Sequence, residues 1–205
     1  MKTLKVFDRK DYNANSPVFF REAVRAVIMQ NGTVAMAKSE AEGFYKFPGG
    51  GIEPGENHEQ TLVREVREET GLSVCEGSIK ALGAVHERRK SQQSDGEIFE
   101  QVSYYYFAGV RGVLLAQNLD DYEKELGFAL EWVPIEKALE ANLRIGSHPK
   151  WGEMVRREAW VLGFLFELSG ANTIEKTTGQ EVPNCDAKRA ESENAESFET
   201  ACKPL

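Results

Sequence analysis

Glu65, Glu68 and Glu69 stand at i, i+3 and i+4, a spacing that gathers three carboxylates on about a third of a helix circumference. Like charges so placed repel, at a cost of roughly a few tenths of a kcal/mol per pair in a bare helix. A hard divalent cation would offset that cost, because Mg²⁺ prefers oxygen ligands drawn from one or two carboxylates, waters and substrate phosphates. Upstream, Gly49, Gly50 and Gly51 let the backbone approach such a site closely and offer exposed N–H and C=O groups to a metal or a phosphate. A solvated acidic helix face preceded by a turn has the same periodicity. Spacing alone leaves both readings open.

The element that must hold these carboxylates has clear ends. Asn57 followed three residues later by Gln60 forms a capping-box pattern, and Gly71 supplies a helix stop. Leu62, Val63, Val66 and Thr70 fall on the neighbouring arc and are expected to face the core. Arg64 lies one turn before Glu68 and can bridge it, whereas Arg67 points away from the acidic stripe.

Around this helix the order of elements is mixed. Two apolar runs flank Asn31-Gly32, a strong hairpin signal over residues 22–39. "YKFPGGG" reads as a short strand broken by Pro and Gly. Residues 79–90 and 99–112 read as strands joined by the polar "SQQSDGE", residues 118–127 as a charged loop, and "FALEWVPI" as another strand. A short helix is expected at 135–143. Residues 150–168 form a longer one, with Met154, Val155, Val161, Phe164, Leu165 and Leu168 near helical spacing. An α+β or α/β sandwich follows, with an N-terminal segment at 1–21, a domain at 22–168 and a polar tail at 169–205. The tail has too few large apolar residues to offset its ordering entropy and reads as flexible. Docking through Phe198 and Leu205 is the other reading of it.

The chain has 205 residues and a formal net charge of −8, which argues against sequence-independent binding to a nucleic-acid polymer. A small anionic substrate remains compatible if a metal or a local basic cluster neutralises it. No stretch has the length and apolarity of a membrane span, and the opening residues lack a signal-peptide core. Three cysteines without paired metal spacing suit a reducing compartment. The chain reads as a cytoplasmic protein, and Cys75 as a bystander.

Read in full, Gly50, five residues, Glu56, seven residues and then Arg64-Glu65-Val66-Arg67-Glu68-Glu69-Thr70-Gly71-Leu72 resembles the Nudix box at every fixed position. The preceding "FPGGG" and following "LSV" look like the flanks of that family. The resemblance implies a MutT-like α/β/α sandwich around a mixed sheet and hydrolysis of a nucleoside diphosphate linked to another moiety, with Mg²⁺ or Mn²⁺. By resemblance Glu65, Glu68 and Glu69 are the principal metal ligands, Glu56 contributes through water, and the Gly50 carbonyl is a further ligand. Arg64 orients the carboxylates.

Glu68 or Glu69 is the expected general base. Since some relatives place the base in a loop outside the box, Glu123 and Glu125 are further candidates. Substrate identity lies outside the box. Arg25 can meet a phosphate, and Phe44, Tyr45, Phe47, Tyr104, Tyr106 and Trp132 can stack a base, although each also suits a core position. The "HERRK" cluster at 86–90 can grip a terminal phosphate or be a solvated strand end. The expected activity is cleavage of a nucleoside triphosphate such as oxidised dGTP, with ADP-ribose or a nucleotide sugar as the alternative. A non-catalytic nucleotide sensor is the alternative of another class, and homodimers are common in the family.

Overall fold

The structure is a computed structural model that describes residues 1–75, 77–111 and 115–170. Its centre is a mixed four-stranded sheet made of β1 (Thr3–Asp8), β7 (Lys80–Lys90), β8 (Ile98–Phe107) and β2 (Val18–Val27), in that order. The β7 and β8 strands are antiparallel, while β1 on β7 and β2 on β8 are parallel. β10 (Phe128–Pro134), β4 (Thr33–Ser39) and β3 (Met29–Gln30) form a second, antiparallel sheet, to which β5 (Tyr45–Lys46) adds alongside β4. A small ribbon pairs β6 (Ser73–Val74) with β9 (Val110–Arg111).

Helices cover both sides. The glutamate helix α1 (His58–Thr70) buries Leu62 and Val66 against Val24, Ala26, Ile28 and Ala35. On the other side α4 (Gly152–Gly170) brings Val161, Leu162 and Leu165 onto Val27, Val85, Tyr105 and Phe47, beside Ala138 of α3 (Ile135–Ile145). Each fully buried side chain of this size contributes about 1.5–3 kcal/mol by leaving water. This is the expected α/β/α arrangement. Alternation in β2 sorts the layers, since Val24 and Ala26 face α1 while Val27 faces α4.

The Asn31-Gly32 hairpin forms, with both residues at positive φ (50° and 77°), but it is shorter than expected. Its first arm is only β3, because β2 pairs with β8 in the other sheet and the chain changes sheets at Ile28. β2 also starts at Val18, and β1 joins the sheet edge. Residues 118–127, expected as a loop, contain a short helix, α2 (Asp121–Leu126). Glu123, the third residue of α2, completes a reciprocal capping box with Asp120, a pattern concealed by the run of charges. The long helix continues through Gly170. The rest of the tail expected over 169–205 lies outside the described residues. No helix among the described residues is long and apolar enough to cross a membrane.

Candidate active site

The catalytic side chains expected from the sequence sit on α1, whose ends form as expected. Asn57 Oδ1 accepts from the Gln60 N–H at 2.9 Å, Gln60 Oε1 accepts from the Asn57 N–H at 2.9 Å, and Gly71 closes the helix at φ 74°. Leu62, Val66 and Thr70 are buried, but Val63 is 42% exposed. Val63 turns instead to an open groove beside Ile79 and Ala116.

Opposite α1, the glycine loop lies along the edge of β2. Val24 N–H donates to the Gly50 carbonyl at 3.0 Å, and Ala26 N–H donates to the Pro48 carbonyl at 2.8 Å. At Gly50 a Cβ would come within 2.3 Å of a Glu65 carboxylate oxygen, and at Gly49, with φ 141°, within 2.1 Å of the Val24 carbonyl. Only glycine admits both contacts.

Glu65, Glu68 and Glu69 all line one cleft, together with Asn118 and Glu123, but two cations divide them. Arg64 donates through Nη1 to Glu65 at 2.8 Å and to Glu68 at 3.2 Å, and through Nε and Nη2 to Glu56 at 2.7 and 2.8 Å. This fork holds the Glu56 carboxyl down at about 2, and its carboxylate partners hold the Arg64 guanidinium above its usual range. Burial pushes Glu65 up.

The second cation is Lys46, a residue that the sequence reading missed. It is buried, and its Nζ donates to Glu69 at 2.8 Å and to Glu123 at 2.7 Å. Glu69 also accepts the Gly49 N–H at 3.1 Å, so both its oxygens are engaged. One ammonium faces two buried carboxylates. Burial pushes Glu69 to about 7, while in Glu123 the attraction of Lys46 outweighs burial and lowers the carboxyl. The loop before α2 docks on α1 through Asn118 N–H to the Glu68 carbonyl at 2.8 Å, and so carries Glu123 to the cleft. Glu125 is exposed on the far side of α2. A lone lysine in the apolar run "GFYKF" was the available signal for Lys46.

Among the described residues no three carboxylate, imidazole or thiol groups form a ready metal cluster. The donor set nevertheless fits a hard divalent ion. One oxygen each of Glu65 and Glu68 has no hydrogen-bond partner among the described residues, and these all-oxygen donors face the glycine cradle that a Cβ at residue 50 would fill.

The three expected substrate contacts do not come together. Arg25 borders a cavity on the α4 side of the sheet and donates through Nη1 to the Gly49 carbonyl. Phe47 is fully buried, edge-on to Tyr105. Tyr104 lies on the α1 side, against His58 and donating to Glu22 at 2.7 Å. Strand alternation separates Tyr104 from Arg25. Phe44 and Tyr45 are core residues.

The NUDIX domain model matches residues 19–153. A 74-residue stretch is 38% identical to the CTP pyrophosphohydrolase of Escherichia coli (strain K12), covering 34% of this chain and 53% of that protein. A 42-residue stretch is 49% identical to the 8-oxo-dGTP diphosphatase of Proteus vulgaris, covering 20% of this chain and 38% of that one. The chain thus spans about half or less of these relatives' lengths. Among solved structures, a NUDIX hydrolase from Nitrosomonas europaea is similar at 21% identity and a TM-score of 0.48, over 70% of this chain and 90% of that chain. With the domain model matching residues 19–153, well over half of the chain, the chain belongs to the NUDIX domain family.

Proposed function

We propose that the chain is a divalent-metal-dependent pyrophosphohydrolase that cleaves the pyrophosphate linkage of a small nucleotide, with a nucleoside triphosphate such as oxidised dGTP as its substrate. The observation that carries this reading is the glycine cradle at Gly50, closed over Glu65 and flanked by the solvent-accessible Glu68. Relatives named for CTP and 8-oxo-dGTP cleavage support the substrate class. ADP-ribose or a nucleotide sugar is the second candidate.

In this reading Glu65 and the Gly50 carbonyl would hold Mg²⁺ or Mn²⁺, with Glu56 and Glu69 behind them and the uncommitted oxygen of Glu68 left free of the ion. The ion, when bound, neutralises the pyrophosphate and lowers the pKa of an attacking water. Glu68 is the general base, because its side chain is one-third exposed and one of its oxygens is uncommitted. Glu69 and Glu123 are both committed to Lys46 and keep the glycine loop in register. Arg64 orients Glu56, Glu65 and Glu68 rather than touching substrate. Assaying phosphate and pyrophosphate release from nucleoside triphosphates, oxidised dGTP, ADP-ribose, nucleotide sugars and coenzyme A, with Mg²⁺ and then Mn²⁺, tests the reading. One substrate turned over far faster than the rest supports it. Tight metal-dependent binding without turnover of any of them replaces it with a nucleotide sensor.

A further inference from the structure

The α4 side of the mixed sheet carries a cavity of about 420 Å³ that reaches Gly49 and Gly50 and is also lined by Lys46 and Tyr122. Strand alternation fills its wall with Arg21 and Arg25 of β2 and Arg89 of β7, and Lys150 closes it from the segment before α4. The carboxylates in the same wall are already used. Glu87 is held by Arg157 at 2.5 Å, and Glu153 is held by Arg9 and Arg156.

Arg21, Arg25, Arg89 and Lys150 therefore have no carboxylate partner among the described residues. Arg89 lies over the Phe99 ring at 4.2 Å and Lys150 over Trp151 at 4.5 Å, and the Nε atoms of Arg25 and Arg89 are buried without a hydrogen-bond partner. Burial, then Arg25 and Arg157, disfavour the charge on Arg21. Four unpaired cations in one cavity, in a chain of net charge −8, repel one another unless an anion joins them. Guanidinium forks match phosphate oxygens, and a phosphate carries about −1.5 to −2 charge near neutral pH. Phe99, Tyr122 and Trp151 also line the cavity, but Arg89 and Lys150 already cover the Phe99 and Trp151 rings, and a base alone would leave the guanidinium donors unanswered.

We propose that this cavity seats a phosphate of the substrate lying beyond the diphosphate that is cleaved at the carboxylate cleft. What that phosphate belongs to rests on the pyrophosphohydrolase reading; that the cavity binds it does not. The phosphate comes either from the nucleoside's sugar or from a longer phosphate chain.

Calorimetric titration of inorganic phosphate into the metal-free full chain isolates the cavity, because the carboxylate cleft without metal repels anions. Saturable binding weakened tenfold or more in the Arg21→Gln/Arg89→Gln double variant, with its circular dichroism unchanged, is the expected result. Lys150→Gln, exposed and far from the core, provides a second variant and should weaken binding in the same direction. No binding to the wild-type chain, or binding that both variants retain, overturns the proposal.

Substrate pairs then locate the phosphate, with kcat/KM compared for coenzyme A against its 3′-dephospho form, ADP-ribose against its 2′-phosphate, and ATP against ADP. A tenfold preference for the phosphorylated member, carried in KM and lost in the double variant, is expected. A preference in the first two pairs names the nucleoside sugar, and one in the third names the phosphate chain. An active enzyme with no preference in any pair overturns the proposal. Absence of turnover in every pair, and of oxidised dGTP and nucleotide sugars assayed beside them, with phosphate binding intact overturns the hydrolase reading instead.

Discussion

Glu65 and Glu68 each keep one oxygen uncommitted while Arg64 steadies the other, but the Glu68 side chain is the more exposed, at 33% against 14%. Glu68→Gln keeps the shape and removes the charge, so kcat/KM should fall by about 10²–10⁴-fold while the melting temperature stays put; steady-state kinetics beside a thermal melt checks both. Gly50 and Gly49 should separate function from stability. The Cβ of Gly50→Ala meets only the movable end of Glu65, so metal affinity and turnover should drop with little change in stability. That of Gly49→Ala meets the backbone of Val24 at a φ that alanine resists, and should cost about 1–3 kcal/mol or more, read by urea denaturation. Glu69 supplies a pH signature. A carboxyl raised to about 7 in the fold keeps its proton from the unfolded value upward to about 7. The metal-free protein should therefore lose stability as pH rises through that window, and Glu69→Gln should flatten the slope when melting temperatures are compared from pH 5 to 8.

Elements show where charge has been used inside the fold. α4 reads as an apolar stripe, yet Arg157 and Glu158 on it are buried, with Arg157 donating to Glu158 at 2.6 Å and to Glu87 of β7 at 2.5 Å. Glu158 in turn accepts the Phe47 N–H at 3.2 Å. Arg157→Leu would strand two buried carboxylates and should cost about 3–5 kcal/mol, measured by chemical denaturation. The glutamate helix was legible end to end, because its caps and its stripe are local. Lys46, α2 and the Arg157 cluster were not. Lys46 meets Glu69 and Glu123 from 23 and 77 residues away in sequence, and no local period records such meetings. Val63 was misplaced for a related reason: apolar spacing says which arc it occupies, but not that no other element covers that arc.

At the scale of the whole molecule, β1 covers the outer edge of β7 and sets Phe7 against Trp160 of α4, with ring centroids 6.5 Å apart. Deleting residues 1–8 should lower the unfolding midpoint and leave that edge open to pairing with other chains, checked by urea denaturation and light scattering. The sandwich itself was readable from the order of elements, whereas the change of sheet at Ile28 was not, since β2 and β3 look like one continuous apolar run. The alternation in β2 gives the fold a further property. Alternate positions on one short strand answer to different masters: 24 and 26 support the helix that carries the chemistry, while 21 and 25 line the cavity across the sheet. On the readings proposed above, changes at 21 alter what the cavity holds, whereas Arg25, bonded to the Gly49 carbonyl, ties the cavity to the glycine loop. A single inserted residue would exchange the two sets and damage both roles together, so lineages of this protein should diversify along this strand by replacement and hardly ever by insertion.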